Sequence, residues 1–339
     1  MSDLVYGPLM LHLRRERWER KSPARITGYT WAFNEVLVLS LDSGGCVGRA
    51  EALGVYYGGD DPASMERQLE ALRPRIEAGL SRETVQDLLP PGGARNALDC
   101  ALWDLEAKLS GLAVWRRAGL DPSRPLITTF TCHADLPEKM AEQAVAHGKV
   151  HAIKLKLTGE AIDRARVQAV RAELPEVWLG VDANQGFTPG FLHELMPTLI
   201  DARVELIEQP FKAGQEALLD GFDSPIPIAA DESVRSFADL PGLVGRFDVA
   251  NIKLDKCGGL TEGLAMAAWL RAEGLKVMVG CMGGTSLAMA PAFVLGQLCD
   301  LVDLDGPMFL KSDRPVSASY ENGRIFCPPE LWGAASHEQ

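Results

Sequence analysis

No C-x-x-C pair occurs in the 339 residues, and the seven cysteines, Cys46, Cys100, Cys132, Cys257, Cys281, Cys299 and Cys327, are odd in number. Neither a disulfide framework nor a zinc knuckle is indicated, and a reducing cytoplasm is the expected setting. Positive charge is also short. Against 34 Lys and Arg stand 46 Asp and Glu, a net charge of −12, which argues against nucleic acid or an anionic membrane as partner. The opening residues, M-S-D-L-V-Y-G, hold no basic segment followed by an apolar one, so no secretory signal is expected. Repeats and low-complexity tracts are missing. The most apolar stretch, residues 277–298, is broken by Gly283, Gly284, Thr285 and Pro291, which fits strand, turn and buried helix better than a membrane span. What remains is an ordinary globular composition, 47% hydrophobic and 24% charged, and a small molecule as partner.

What is present is a set of short apolar runs that end in a charge. They read A-I-K-L-K (Lys154, Lys156), L-G-V-D-A-N (Asp182), E-L-I-E-Q-P (Glu208), I-A-A-D-E-S (Asp231) and N-I-K-L-D-K (Lys253). Their spacing is nearly even, 26 residues from Asp182 to Glu208, 23 on to Asp231 and 22 on to Lys253. That step is one strand, one helix and two turns. A run that stays apolar until its last residue suits a strand buried on both faces whose C-terminal end opens into a site.

The rest of the chain fits around this frame. Residues 9–13, 35–41 and 46–53 predict an antiparallel meander of three strands, with loops at 21–30 and 54–61. Helices are expected over 61–78 and 93–109. From residue 125 the texture alternates, with strands expected at 126–131, 152–157, 177–181, 204–207, 226–230, 249–254, 276–280 and 301–304. Helices are expected between them at 136–147, 162–172, 191–200, 260–273 and 287–297. Eight such strands with crossover helices imply a parallel barrel. The expected division is an α+β cap over residues 1–118, a barrel over 119–310, and a tail, 311–339, that packs back on the cap.

Asp182, Glu208 and Asp231, at the ends of strands three, four and five, would project into one mouth. Three carboxylates with no histidine or thiolate beside them select a hard cation, Mg²⁺ above all. Alternation sets Glu232 one layer back from Asp231, while Asn184 is expected nearby. Lys154 and Lys156, two apart on a strand, share a face, and neighbouring ammonium groups disfavour each other's charge, which leaves one able to act as a base. Lys253, on strand six, would stand across the mouth, and Lys256 is its competitor, three residues further on and past the strand. A cation site flanked by lysines is arranged to take a proton from one face of a carbon and return it to the other.

These motifs resemble the muconate-lactonizing subgroup of the enolase superfamily and, within it, the dipeptide epimerases of the L-Ala-D/L-Glu type. The resemblance runs from the meander through the barrel to D-L-D-G-P. It implies a (β/α)7β TIM-like barrel with an N-terminal α+β capping domain, Mg²⁺ on Asp182, Glu208 and Asp231, and acid/base roles for Lys156 and Lys253, with Lys154 supporting. The family's dipeptide marker, Asp-x-Asp at the end of strand eight, is Asp303-Leu304-Asp305 here, and the pair would hold the substrate's ammonium group. Thr131 matches a substrate-contacting threonine. Two positions depart from the pattern. Gly284 stands where many subgroup members carry a Glu, and Gly28 stands where the Ala-Glu enzymes carry an arginine, with Arg25 as a near neighbour that could meet the substrate. The implied reaction is epimerisation of a dipeptide at the α-carbon of its second residue through an enediolate. N-acylamino acid racemisation, o-succinylbenzoate synthesis and a catalytically silent metal-binding barrel are the alternatives, and a homo-oligomer is left open.

Overall fold

The first 17 described strand residues, β1 (Met10–Ile26), pair antiparallel with β2 (Tyr29–Ser43), which pairs in turn with β3 (Cys46–Ala52). The computed structural model describes residues 8–26 and 29–335, with only the backbone course at 24–26 and 29–30. The hairpin is longer than the sequence predicts. Residues 21–30, expected to be a loop, are largely the far end of β1 and β2, where the register shifts between Glu19 and Ala24. The bulge re-aims the strand without ending it, so a polar stretch with no apolar alternation still pairs through its backbone. Val36 through Leu39, and Leu41, are all buried rather than alternating, because β2 is the central strand and the helices α1 (Pro62–Glu77) and α3 (Gly93–Ser110) cover the sheet. Two short helices, α2 (Arg82–Leu88) and α4 (Val114–Arg117), complete this cap. The sequence reading had neither of them.

The expected first barrel strand divides in two. β4 (Leu126–Ile127) pairs with the tail, and β5 (Thr129–Cys132) enters the main sheet. Eight parallel strands follow one another around that sheet: β5, β6 (Ala152–Lys156), β7 (Trp178–Asp182), β8 (Leu206–Glu208), β9 (Ile228–Ala230), β10 (Val249–Lys253), β11 (Lys276–Gly280) and β12 (Leu301–Asp303). The first and last strands meet where the Leu304 amide, just past β12, donates to Thr128 Oγ1, just before β5, at 2.9 Å and the Thr129 hydroxyl donates to Asp303. Helices α5 (Pro137–Ala146), α6 (Asp163–Glu173), α7 (Pro189–Asp201), α8 (Leu254–Cys257), α9 (Leu260–Ala272) and α10 (Ser286–Gly296) surround the strands. Among the described residues no helix is long and apolar enough to cross a membrane. The stretch 277–298 is strand, turn and buried helix, as its glycines and proline predict.

The tail closes the molecule in two places. β13 (Ser319–Glu321) and β14 (Arg324–Phe326) form a small sheet with β4. Further on, Arg49 Nη2 donates to Leu331 O at 3.0 Å, and the Gly333 amide to Asp104 at 2.8 Å, tying the tail to β3 and α3 of the cap.

The cap also grips the barrel directly. Arg95 and Asp99 of α3 lie on the Gly258-Gly259 turn between α8 and α9, where Gly259 has φ +118° and a Cβ would come within 2.5 Å of the Asp99 carboxylate. That carboxylate accepts the Thr261 amide at 3.0 Å. Gly259→Ala should therefore strain the backbone and push α3 away, costing about 1 to 3 kcal/mol. A fall of several degrees in the thermal midpoint is the expected reading, and an unchanged midpoint would show that the turn does not position the cap.

Candidate active site

Three consecutive main-sheet strands each deliver an acid as they emerge from the core. On β7, Leu179 and Val181 are fully buried and Asp182 follows. On β8, Ile207 precedes Glu208, and on β9, Ala230 precedes Asp231. The three acids, buried themselves, bring one carboxylate oxygen each to within 4.8 Å of one another. Burial and the neighbouring Asp182 raise the pKa of Glu208. Burial would raise Asp231 as well, but Lys253 and Lys256 outweigh it and hold that carboxyl well below the usual range. Glu208 Oε1 accepts Asn251 Nδ2 at 2.7 Å, while its buried Oε2 accepts no hydrogen bond and lies 3.4 Å from Lys154 Nζ. An orphaned carboxylate oxygen aimed at two further carboxylates is what a hard divalent cation would satisfy, so the donor set fits one.

Lysines compensate this charge. Lys156 Nζ donates to Asp182 Oδ2 at 2.5 Å, and Lys253 Nζ to Asp231 Oδ2 at 2.7 Å. Lys154 Nζ bonds Asp303 and stands 3.8 Å from Asp182. The expectation that Lys154 is weakened by its neighbour fails. Burial pulls its pKa down, but Asp303, Glu208 and Asp182 together push it well above the ordinary value. Lys256 also reaches Asp231, by a route the sequence did not disclose. β10 stops at Lys253 and the single turn α8 returns Lys256 to the acid, where Nζ donates to Oδ1 at 2.6 Å, to Asp231 O at 2.5 Å and to Asn251 O at 3.0 Å. Lys253 borders the main cavity, whereas Lys256 is buried behind it with its three donors used.

That cavity, about 430 Å³, lies between the strand ends and the cap. Lys154, Lys156, Lys253, Asp231, Thr131, Asp303 and Asp305 all border it. β6 and β10 are four strands apart in the eight-stranded order, so Lys156 and Lys253 approach from opposite sides. Asp305 lies past the end of β12 rather than on it, and it reaches the cavity through the turn at Gly306–Phe309. Its Oδ2 accepts the Thr131 amide at 2.7 Å, and burial with the Asp303 charge raises its pKa to about 6. Asp303 is held by the Thr129 hydroxyl and Lys154.

Glu232, which strand alternation set one layer back, borders the cavity too, with Oε2 unpartnered and its pKa raised to about 8 by burial, Asp231 and Asp182. Asn184 also lines it. The side chain of Arg25 and the whole of Gly28 lie outside the described residues. Gly284 has a physical reason. With φ +101°, it faces the buried Glu51 of β3, whose Oε1 would be 2.9 Å from an added Cβ, so a side chain there would strain the backbone and press on Glu51.

The loop at 54–61 does border the mouth, but sequence reasoning named no individual cap side chain there beyond Arg25. Trp31, Tyr56 and Tyr57 make successive edge-to-face contacts at 4.8 and 5.0 Å over the cavity. Arg20, Asn34, His133 and Phe309 line it as well. Of these four, His133 had a legible signal, since alternation from Thr129 and Thr131 points it inward.

An eight-stranded parallel barrel with acids on consecutive strand ends and an α+β cap over its mouth defines the enolase-like class. The chain belongs to the mandelate racemase/muconate lactonizing enzyme family: residues 10–119 match that family's N-terminal domain and residues 137–329 the enolase C-terminal domain-like family. It is 37% identical over 312 residues to an L-Ala-D/L-Glu epimerase of Escherichia coli (strain K12), covering 91% of this chain and 97% of the relative. It is 42% identical over 256 residues to an N-acetyl-D-glutamate racemase of Pseudoalteromonas sp, covering 74% and 79%. Among solved structures, it is similar to an enolase family member from Agrobacterium tumefaciens with homology to dipeptide epimerases, carrying bound sodium and L-Ala-L-Glu (TM-score 0.93, 39% identity, 96% and 100% covered). It is also similar to a dipeptide epimerase from Enterococcus faecalis V583 complexed with Mg and L-Leu-L-Tyr (TM-score 0.87, 28% identity, 98% of each chain).

The triad's chemistry is testable by itself. Calorimetric titration of Mg²⁺ into EDTA-treated protein should give one site, and Asp231→Asn should weaken it at least tenfold with the fold intact. Equal affinity in the variant would mean that the cation binds elsewhere.

Proposed function

We propose that the protein is an Mg²⁺-dependent dipeptide epimerase of the L-Ala-D/L-Glu type, which inverts the α-carbon of the second residue by 1,1-proton transfer between Lys156 and Lys253. The observation that carries this reading is the pair of lysines entering one cavity from β6 and β10, on either side of three convergent acids. Asp182, Glu208 and Asp231 would hold the cation, which when bound supplies positive charge to offset the enediolate form of the substrate carboxylate.

The chain's own groups then divide the work. Asp182 and Asp231, two of the residues that would hold the cation, bond Lys156 and Lys253 and so orient both amines at the cavity. One lysine, as the free amine, removes the α-proton. The other, as the ammonium, delivers a proton to the opposite face, and the reverse direction uses the same groups with exchanged roles. Lys154, charged and buried, supports the anionic side of the site. Asp305 and Asp303 receive the substrate's ammonium group, with Thr131 fixing Asp305. The aromatic residues of the cap exclude water above them.

The division into cap (1–118), barrel (119–310) and returning tail (311–339) is the frame we take for these roles. The seven free cysteines support a reducing, cytoplasmic setting, and the acidic surface supports a small-molecule partner rather than nucleic acid or membrane. One observation favours a second reading. Asp303 is already neutralised by Lys154, which lowers the demand for an ammonium there and makes N-acylamino acid racemisation the runner-up.

A dipeptide library incubated in D₂O with Mg²⁺ and read by mass should show deuterium at the α-carbon of the second residue and both epimers. Lys156→Ala and Lys253→Ala should each abolish epimerisation, whereas normal turnover in Lys253→Ala with loss in Lys256→Ala would reverse the assignment on β10. Asp305→Asn should cost about 2 to 4 kcal/mol in kcat/KM, by analogy with truncating a buried charge pair. Efficient turnover of N-acetyl-L-Ala-L-Glu, which has no ammonium group, would refute the dipeptide reading in favour of the acylated one.

A further inference from the structure

The returning tail sets one arginine where cap and barrel meet. Arg314 lies between the Gly306–Phe309 turn and β13, with 15% of its side chain exposed. Each guanidinium nitrogen serves a different element. Nε donates at 2.9 Å to Oγ1 of Thr285, which caps α10, Nη1 lies 2.8 Å from Glu16 Oε2 of β1, and Nη2 donates to Glu51 Oε2 of β3 at 2.6 Å. The Trp18 ring lies 4.9 Å from the guanidinium and its Nε1 donates to the same Glu16 oxygen at 3.1 Å, while exposed Arg14 takes the other. Glu51, whose side chain is fully buried, accepts the Thr285 amide at 2.7 Å on Oε1 and the Thr285 hydroxyl on Oε2. Asp313, just before Arg314, accepts the Ser286 amide at 2.9 Å, so the tail also holds the first residue of α10.

This junction backs one wall of the main cavity. Residues 281–285 connect β11 to α10, and Cys281, Met282 and Gly283 among them border the cavity. The turn is closely flanked: a Cβ at Gly283 would come 3.2 Å from Asn34 Nδ2 of the cap, and one at Gly306 would come 3.1 Å from Gly283 Cα. We infer that Arg314 is a positioning residue for the reaction proposed above, fixing the 281–285 turn against the cap through Thr285 and Glu51 and so setting the wall that the substrate packs on. The role in turnover rests on the dipeptide-epimerase reading, whereas the junction itself does not. A planar fork matches three acceptors on three elements in one relative arrangement, which a single ammonium cannot reproduce. Lys156 and Lys253 are oriented by acids of the barrel rather than by this junction. Loosening the wall therefore weakens substrate binding and spares proton transfer in the bound complex, a rise in KM with kcat kept.

Arg314→Met alone leaves the buried Glu51 carboxylate without its ion-pair partner, which threatens the fold. The deciding variant is Arg314→Met with Glu51→Gln, in which both charges leave together and the side-chain oxygen can still accept the Thr285 amide. Its thermal midpoint should recover toward the wild type, while KM for the dipeptide stays raised about 3- to 30-fold, the range of coupling through packed networks. Arg314→Lys should fall between the wild type and the double variant. Amide hydrogen exchange read by mass should quicken in peptides covering 281–287 and stay unchanged in those covering β6 and β10. A wild-type KM in the double variant, unchanged exchange at 281–287, or a KM that rises across the three variants only as the thermal midpoint falls would each overturn the role. Absence of turnover in the wild type would sink the epimerase reading instead, and exchange at 281–287 would still decide the junction.

Discussion

Three carboxylates buried within 4.8 Å of one another are the constraint on which the rest of the site depends. Like charges so placed cannot all be ionised without compensation, and every cationic side chain near the centre answers to them. Lys156 is bound to Asp182, Lys253 and Lys256 to Asp231, and Lys154 lies between Glu208, Asp182 and Asp303. Four lysines reach that centre, three of them bordering the cavity. The arrangement is a balance of opposite charges in which the acids that would hold a cation are also the acids that the lysines bond.

The barrel makes this balance affordable. Parallel strands with buried flanks bring the acids out on consecutive strand ends, and the register Lys156↔Asp182↔Glu208 runs straight across three neighbours. The cap then determines what else can enter. Its hairpin, its Tyr56–Gly58 turn and Glu51, which packs on Gly284, occupy the space above the strand ends. Asp255 of α8 accepts the Leu53 and Gly54 amides at 3.0 and 3.1 Å and so fixes the base of that turn to the helix that follows Lys253 directly. These ties set the relative positions of barrel and cap.

The barrel was legible because its signal is local. An apolar run ending in Asp182, Glu208, Asp231 or Lys253 states both the strand and its open end, and the even spacing supplies the order. The cap's share was less legible because its signals are not local. β1 continues through a polar segment held by backbone pairing, so Arg20 reaches the mouth by a register shift that no side-chain pattern announces. Lys256 read as lying beyond its strand, which is true, but the one-turn helix that follows brings it back to Asp231. Asp303 and Asp305 were read as a matched pair, yet Lys154 takes the first and the Thr131 amide the second, a difference that depends on which side chains meet across the closure of the sheet.

The central claim is that Lys156 and Lys253 address opposite faces of one carbon. It is tested most directly by following α-hydrogen exchange in D₂O separately for the two epimers of one dipeptide, in Lys156→Ala and in Lys253→Ala. Each variant keeps one lysine, so the account predicts exchange from a single epimer in each, and from opposite epimers in the two. Exchange from the same epimer in both variants would place the lysines on one face and contradict it.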